Sequence, residues 1–231
     1  MYLNKKILAI IPARGGSKEI KNKNIIKVAG KPLIQYTIDE AKKSKYIDKI
    51  LLSTDSIKIA QIGEELGLII DHLRPKELAL DTSPTIDAVK YSLNIFKDEN
   101  FDYVILLQPT QPLRTVRHID ESIEKIIPGN IESIISVSEI NEHPIFMRTI
   151  NKFGELDSLL NINSTIRRQD LPNYYKVNGA IYINKVTDIL NDYVSFNDNK
   201  YPYIMDKQYD LDIDTVDDLN RFELLMLEGS Q

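Results

Sequence analysis

Lys5-Lys-Ile-Leu-Ala-Ile-Ile-Pro-Ala-Arg-Gly-Gly-Ser-Lys18, with Lys21-Asn-Lys-Asn24 close behind, decides the fold. Residues 7–11 form an apolar run of buried-strand length that stops at Pro12. A glycine pair, Gly15 and Gly16, then offers the backbone a turn, and cations crowd behind it. Residues 14–31 hold six Lys or Arg (Arg14, Lys18, Lys21, Lys23, Lys27, Lys31) against one acid, Glu19. The chain as a whole carries net charge −5, so this cluster runs against its background. A strand that ends in a glycine turn among converging cations is how an α/β sheet holds a polyanion. A glycine pair alone is often a plain turn, and this one fits neither the Walker nor the dinucleotide pattern. Arg14 tips the reading, because its fork binds phosphate in a bidentate way.

Outward from this stretch, apolar runs of strand length alternate with helical periodicity. Strands are expected at 7–11, 49–53, 68–71, 103–107, 133–137, 179–183 and 203–205. Amphipathic helices are expected at 32–43, 56–66 (opened by a Ser56 cap), 85–96, 117–127 and 216–227. This alternation argues for a single three-layer α/β domain over 1–231, its mostly parallel sheet covered by helices on both faces. The pattern lapses over about 139–176, an excursion of the kind that serves function or association.

Composition limits the function classes. The chain lacks cysteine, which excludes disulfides and thiolate metal sites and suits a cytoplasmic setting. No apolar run approaches the ~20 residues of a membrane span, and no signal-peptide pattern precedes the first strand. The net negative charge, with no basic stripe beyond the first loop, argues against nucleic acid as a partner.

Two further stretches carry chemistry. In Tyr209-Asp-Leu-Asp-Ile-Asp-Thr215, alternation puts Asp210, Asp212 and Asp214 on one face and Leu211 and Ile213 on the other. Carboxylates so close repel unless a cation sits among them, and Mg²⁺ is a natural partner for Asp212 and Asp214. Asp217 and Asp218 are instead assigned to capping the last helix behind Thr215. In Tyr103-Val-Ile-Leu-Leu-Gln-Pro-Thr-Gln-Pro-Leu-Arg114, an apolar strand ends in a loop stiffened by two prolines, where open parallel sheets bind ligands. Gln108 and Thr110 can bond a polyhydroxylated substrate; equally, Thr110 can complete a turn and Arg114 can start the next helix. His72, His118 and His143 lie far apart and read as structural.

Together these segments resemble the cytidylyltransferases that activate sialic and related nonulosonic acids as CMP-sugars. The resemblance is colinear over nearly the whole chain. It runs through Ile11-Pro-Ala-Arg-Gly-Gly-Ser-Lys18, Lys23-Asn24, Gly30-Lys-Pro-Leu33, Ser53-Thr-Asp-Ser56, Leu73-Arg-Pro75 and Leu78-Ala-Leu-Asp-Thr82. It continues through Leu106-Leu-Gln-Pro-Thr-Gln-Pro-Leu-Arg114, Asn178-Gly-Ala-Ile-Tyr-Ile183 and Asp212-Ile-Asp-Thr215. It implies a nucleotide-diphospho-sugar transferase-like fold and CMP transfer from CTP to the anomeric hydroxyl of a nine-carbon acid sugar, with release of pyrophosphate. It implies that Arg14, Gly15, Gly16, Ser17 and Lys23 meet the CTP phosphates, and that Asn24 meets the nucleotide sugar. Arg74 and Ser83 would lie near the cytosine, with Thr82 and Thr85 as alternatives to Ser83. Gln108, Thr110 and Arg168 would serve the acid sugar, and Asp212 and Asp214 would hold Mg²⁺. Arg14, Lys23, Asp212 and Asp214 would carry catalysis. The family's middle excursion implies a homodimer whose arm, here about 139–176, helps close the sugar site.

The segment Lys18-Glu-Ile-Lys-Asn-Lys-Asn24 departs from the sialate pattern and looks closer to legionaminate- or pseudaminate-type branches. Glu19 is expected to point outward or pair with a lysine. A cytidylyltransferase for 3-deoxy-manno-octulosonate, whose family shares the Ile-Pro-Ala-Arg start, and a non-catalytic nucleotide-binding module are the rival readings. No side-chain general base emerges from the residues.

Overall fold

The computed structural model describes residues 1–160, 167–191 and 195–228. The strands are β1 (Ile7–Pro12), β2 (Lys27–Val28), β3 (Lys31–Pro32), β4 (Lys49–Ser53), β5 (Tyr103–Leu106), β6 (Ser133–Glu139), β7 (Arg148–Ile150), β8 (Leu156–Ser158), β9 (Tyr175–Lys185) and β10 (Tyr201–Met205). The helices are α1 (Leu33–Lys43), α2 (Ile57–Glu65), α3 (Thr85–Ile95), α4 (Val116–Ile126), α5 (Val186–Asn191) and α6 (Val216–Glu228). The central sheet runs β10-β6-β9-β5-β1-β4. Pairing is parallel at β1–β4, β1–β5 and β6–β10, while β9 is antiparallel to both β5 and β6. The expected three-layer, mostly parallel sheet is therefore present, with one reversed strand in its middle.

β1 shows why the sheet is covered twice. Its residues from Ile7 to Ile11 are all fully buried, and strand alternation splits them between two cores. Ile7, Ala9 and Ile11 join a cluster with Ile34 and Ile38 of α1, Ile59 of α2 and Ile119, Ile123 and Ile126 of α4. Leu8 and Ile10 join Ile86, Val89 and Leu93 of α3 and Ile189 of α5. Each such side chain contributes roughly 1.5–3 kcal/mol by leaving water. A third cluster joins Leu33 and Tyr36 of α1 to Leu219 and Phe222 of α6, with Leu211 and Ile213 between them.

Two differences from expectation concern elements. Residues 68–71 run without regular pairing and form no strand; Leu68 is buried against the α1–α2 side and the rest of the run is partly or fully exposed. The excursion is shorter than 139–176, because Glu139 ends β6 while Tyr175 and Lys176 begin β9, and these pair across the sheet. Within it β7 and β8 form a separate antiparallel hairpin.

The chain leaves β1 for β4 on one side and later returns to β5 on the other. This reversal of strand order opens a crevice beyond the carboxyl ends of β1 and β5, the position where open α/β sheets bind ligands.

Candidate active site

A cavity of about 450 Å³ occupies this crevice. Arg14, Ser17, Lys18, Lys23 and Asn24 line it from the loop after β1, Gln108 and Thr110 from the loop after β5. Arg74, Asp81, Ser83 and Asp214 complete its walls. Nine of the residues anticipated from sequence thus meet in one place: Arg14, Ser17, Lys23, Asn24, Arg74, Ser83, Gln108, Thr110 and Asp214.

The loop after β1 is held from below. The buried Asn24 side chain donates to the Arg14 carbonyl at 3.0 Å. The Gly15 N–H donates to Asp55 Oδ1 at 2.8 Å. That N–H is already spent, and neither Gly15 nor Gly16 lines the cavity, so the glycines serve the turn and the cavity is walled by side chains. Gly15 has a steric role: a Cβ there would sit 3.0 Å from Ser56 Cβ. Ser56 precedes α2, but its side chain makes no capping bond.

Arg74 is buried, and its guanidinium donates to the side chain and carbonyl of Ser53 at the end of β4. Burial pushes its pKa down, partly offset by Asp55. Ser83 donates to the Glu77 carbonyl at 2.6 Å, closing a turn under the cavity wall. Glu19 is exposed, as expected, and still borders the cavity.

Gln108 owes its place to an irregularity in β9. The β6–β9 register shifts between Ile135 and Val137. Opposite the shift, Asn178 and Ser136 satisfy the displaced backbone: Ser136 Oγ donates to Asn178 Oδ1, and the Ile181 and Ala180 N–H groups donate to these two side chains. Gly179 takes a left-handed φ of +75°, and a Cβ there would lie 2.9 Å from Gln108 Oε1. A second cavity of about 270 Å³ adjoins here, sharing Thr85 and Gln108 and adding Ile86, Tyr182, Ser195, Phe196 and Asn197. The sequence reading passed over these last residues, although Tyr182 lies inside a quoted motif.

The aspartate run behaves as its alternation predicts. Leu211 and Ile213 are buried while Asp212 and Asp214 face out. The Ile213 N–H donates to the Thr110 carbonyl at 2.8 Å, tying the run to the loop after β5. Where Mg²⁺ is expected from the sequence, the cation beside the run is Lys23, which donates to Asp214 Oδ1 and the Ile213 carbonyl, each at 2.8 Å. Asp212 receives the Thr110 hydroxyl; partial desolvation, reinforced by Asp214, nevertheless raises its pKa. Asp210 pairs with Lys176 at 2.9 Å. Asp218 caps α6: Oδ2 accepts from the Asp214 and Thr215 N–H groups and the Thr215 hydroxyl, and the Asp218 N–H returns to Thr215 Oγ1. Among the described residues no cluster of three or more acidic or histidine side chains could hold a metal; Asp212 and Asp214 offer two hard carboxylates.

Arg114 is not a surface helix starter. It is 1% exposed and donates to the carbonyls of Gln108 and Ala180 and to Thr37 Oγ1, locking the loop after β5 to β9 and α1. His118 is also structural. Its Nδ1 accepts from the Thr115 N–H to cap α4, and burial lowers its pKa to about 4. The backbone of Arg168 lies in a short helical turn, and its side chain is outside the described residues.

A family model described as cytidylyltransferase matches residues 8–226. The N-acylneuraminate cytidylyltransferase of Streptococcus agalactiae is 38% identical over 215 residues, covering 92% of this chain and 51% of that protein. This chain therefore spans about half the length of that curated relative. The CMP-N,N'-diacetyllegionaminic acid synthase of Legionella pneumophila is 38% identical over 233 residues, 96% of each chain. Among solved structures, a CMP:2-keto-3-deoxy-manno-octonic acid synthetase complexed with CTP shares the fold with a TM-score of 0.75 at 17% identity, over 97% of this chain and 100% of that one. Among the described residues no helix is long and apolar enough to cross a membrane. With the family pattern matched along almost its full length, and the fold and cavity arranged as above, the chain belongs to the cytidylyltransferase family.

Proposed function

We propose that this protein transfers CMP from CTP to the anomeric hydroxyl of a nine-carbon 2-keto acid sugar and releases pyrophosphate. The observation that carries the reading is the convergence of Arg14, Ser17, Lys18 and Lys23 with Arg74, Gln108 and Asp214 around one cavity at the switch in strand order. The sugar hydroxyl attacks the α-phosphorus and gives its proton to water, a new oxygen–phosphorus bond forms, and the bond to the β-phosphate oxygen breaks. The chain's work is to position the reactants and offset negative charge. Arg14 and Lys23 neutralise the departing pyrophosphate, with Ser17 bonding a phosphate oxygen. Arg74, steadied by Ser53, has donors left for a pyrimidine carbonyl, and Ser83 lies beside it. Asn24 acts mainly by fixing the backbone of Arg14.

Asp212 and Asp214 would hold a divalent cation such as Mg²⁺: both are hard oxygen donors, and Asp214 adds like charge to the desolvation that raises the pKa of Asp212, a cost a cation would offset. Such an ion supplies charge neutralisation at the triphosphate. The acid sugar takes the second cavity, where Ile86 and Phe196 suit an acyl methyl while Gln108, Ser195 and Asn197 suit amide and hydroxyl groups. The end-to-end match with a legionaminic acid synthase supports a legionaminate-type acceptor. The active form is a homodimer. The β7–β8 hairpin presents Ile150 and Phe153, 75% and 76% exposed, and a second copy of the chain would cover them. Use of CTP is in keeping with a cytoplasmic setting.

The test is pyrophosphate release from CTP and Mg²⁺ with a panel of nonulosonic acids and 3-deoxy-manno-octulosonate. Turnover with a nonulosonate supports the reading. Turnover with only the octulosonate moves the enzyme to the cousin reaction, and CTP binding without any turnover leaves a nucleotide-binding module.

A further inference from the structure

Asp81 stands where an anion would be expected from the ligand. Its carboxylate takes Arg14 Nη2 at 2.7 Å through one oxygen and Lys18 Nζ at 3.0 Å through the other, and all three residues line the main cavity. Among the described residues no backbone group bonds either cation's side chain. The three side chains are 36% (Arg14), 74% (Lys18) and 40% (Asp81) exposed, so solvent and solutes reach them. The segment that carries Asp81 is anchored on its own account: the Ser83 N–H bonds the Leu80 carbonyl, and the Ser83 hydroxyl bonds the Glu77 carbonyl. Asp81 can lose its partners without the wall collapsing.

Resting on the phosphate-site reading above, we propose that Asp81 is a placeholder for phosphate. It holds Arg14 and Lys18 together in the empty site, gives them up to the incoming triphosphate, and competes for them again when pyrophosphate must leave. The placement argues against a metal role for Asp81, since its charged neighbours are cations. It argues equally against a purely structural pair. Exposed pairs contribute little stability, and a carboxylate beside a triphosphate repels it unless it yields. The cost of that exchange falls on nucleotide and product binding alike. Asp81 therefore weakens both and favours release.

The experiment measures binding of CTP and of inorganic pyrophosphate, each without acid sugar, to the full chain and to Asp81→Asn, by calorimetry. The expected result is at least threefold tighter binding of both ligands to the variant, with steady-state product inhibition by pyrophosphate deepening in step. Affinity unchanged within twofold, or weakened, overturns the proposal, because a residue that merely orients Arg14 would weaken binding when lost. Asp81→Ser serves if the asparagine variant folds poorly, with the same criteria. Arg14→Ala separates this failure from failure of the phosphate site. If Arg14→Ala weakens pyrophosphate binding but Asp81→Asn does not tighten it, only the placeholder falls. If Arg14→Ala changes nothing, the phosphate site itself is misplaced, and the proposal falls with it.

Discussion

Two cation–carboxylate contacts face the same cavity and are built differently. Lys23 reaches Asp214 with a side chain only 15% exposed, and the same ammonium also bonds the Ile213 carbonyl. Asp214 in turn has its backbone N–H held by Asp218 at the start of α6, and Ile213 beside it is buried and bonded to the Thr110 carbonyl. Arg14 and Lys18 meet Asp81 with no such second ties among the described residues. A pair whose cation is sheltered and tied to backbone acts as scaffold even though Asp214 is itself 64% exposed, whereas a pair open on both sides and without such ties is exchangeable. The difference makes Lys23–Asp214 the fixed side of the cavity wall and Arg14–Lys18 the side whose partners can exchange.

The largest expected effect falls on the anchored side. Asp214→Asn should lower turnover at least ~100-fold, within the several kcal/mol that a catalytic metal supplies, and should raise the magnesium concentration needed for half activity. Turnover within threefold at unchanged magnesium dependence would take Asp214 out of the mechanism and leave its contact with Lys23 as mere packing. Because the variant keeps an amide oxygen for Lys23 but loses the charge attraction, its thermal stability should stay level or drop slightly.

Arg14→Ala comes next. Losing a charge-assisted bond costs ~1.5–3 kcal/mol, about ten- to hundred-fold in CTP affinity or rate. CTP titrations and initial rates check it. An effect within twofold would erase the contrast, since the open side would then hold no phosphate.

Asp212 offers a pH test. Its folded-state pKa is raised, chiefly by desolvation. A carboxyl raised on folding costs stability above its folded pKa, and the cost fades as pH falls towards the unfolded value. Without metal, Asp212→Asn should therefore melt higher than the parent at pH 7, with the gap closing as pH falls through the raised folded pKa towards the ordinary aspartate range. Equal melting temperatures at pH 7 would mean that the aspartate run is already compensated by Lys23.

The smallest effect tests the anchor itself. Asp218→Ala removes the acceptor for two N–H groups and one hydroxyl, so stability should fall by about 1 kcal/mol, or ~2–4 °C. The pKa of Asp218 is lowered, mainly by the Thr215 N–H. Its contribution is therefore complete above the ordinary aspartate range and lost as pH falls through the folded pKa. A melt series on parent and variant at pH 7 and pH 3 reads both. Turnover per folded molecule should drop less than for Asp214→Asn; an equal loss would show that anchoring and metal holding are one function.

Much of this architecture was legible in the chain. The apolar runs at β1, β4 and β5 and the helix periods behind them report burial directly, because a strand buried on both faces must be apolar throughout. The alternation of residues 210–214 gave the correct faces for Leu211 and Ile213, and the Thr215–Asp218 spacing gave the α6 cap. Arg14 and Gln108 announced themselves as polar residues just after apolar strands, and Lys23 as one of the cations crowded behind the first of these. The apolar run 68–71 misled, because short runs of this kind bury one residue under a loop as readily as they pair in a sheet.

What the sequence by itself determined is which segments are buried, where they end, and which polar side chains stand at those ends. The tertiary structure alone decided who meets whom. It reversed β9 between β5 and β6, since alternation carries no strand direction. It spent the Gly15 N–H on Asp55, folded Arg114 inward, and brought Lys23 to Asp214 across 190 intervening positions. It also set Asp81 between Arg14 and Lys18. Periodicity records each residue's exposure to water, a local property; charge pairing and backbone satisfaction depend on distances that exist only once the sheet has closed.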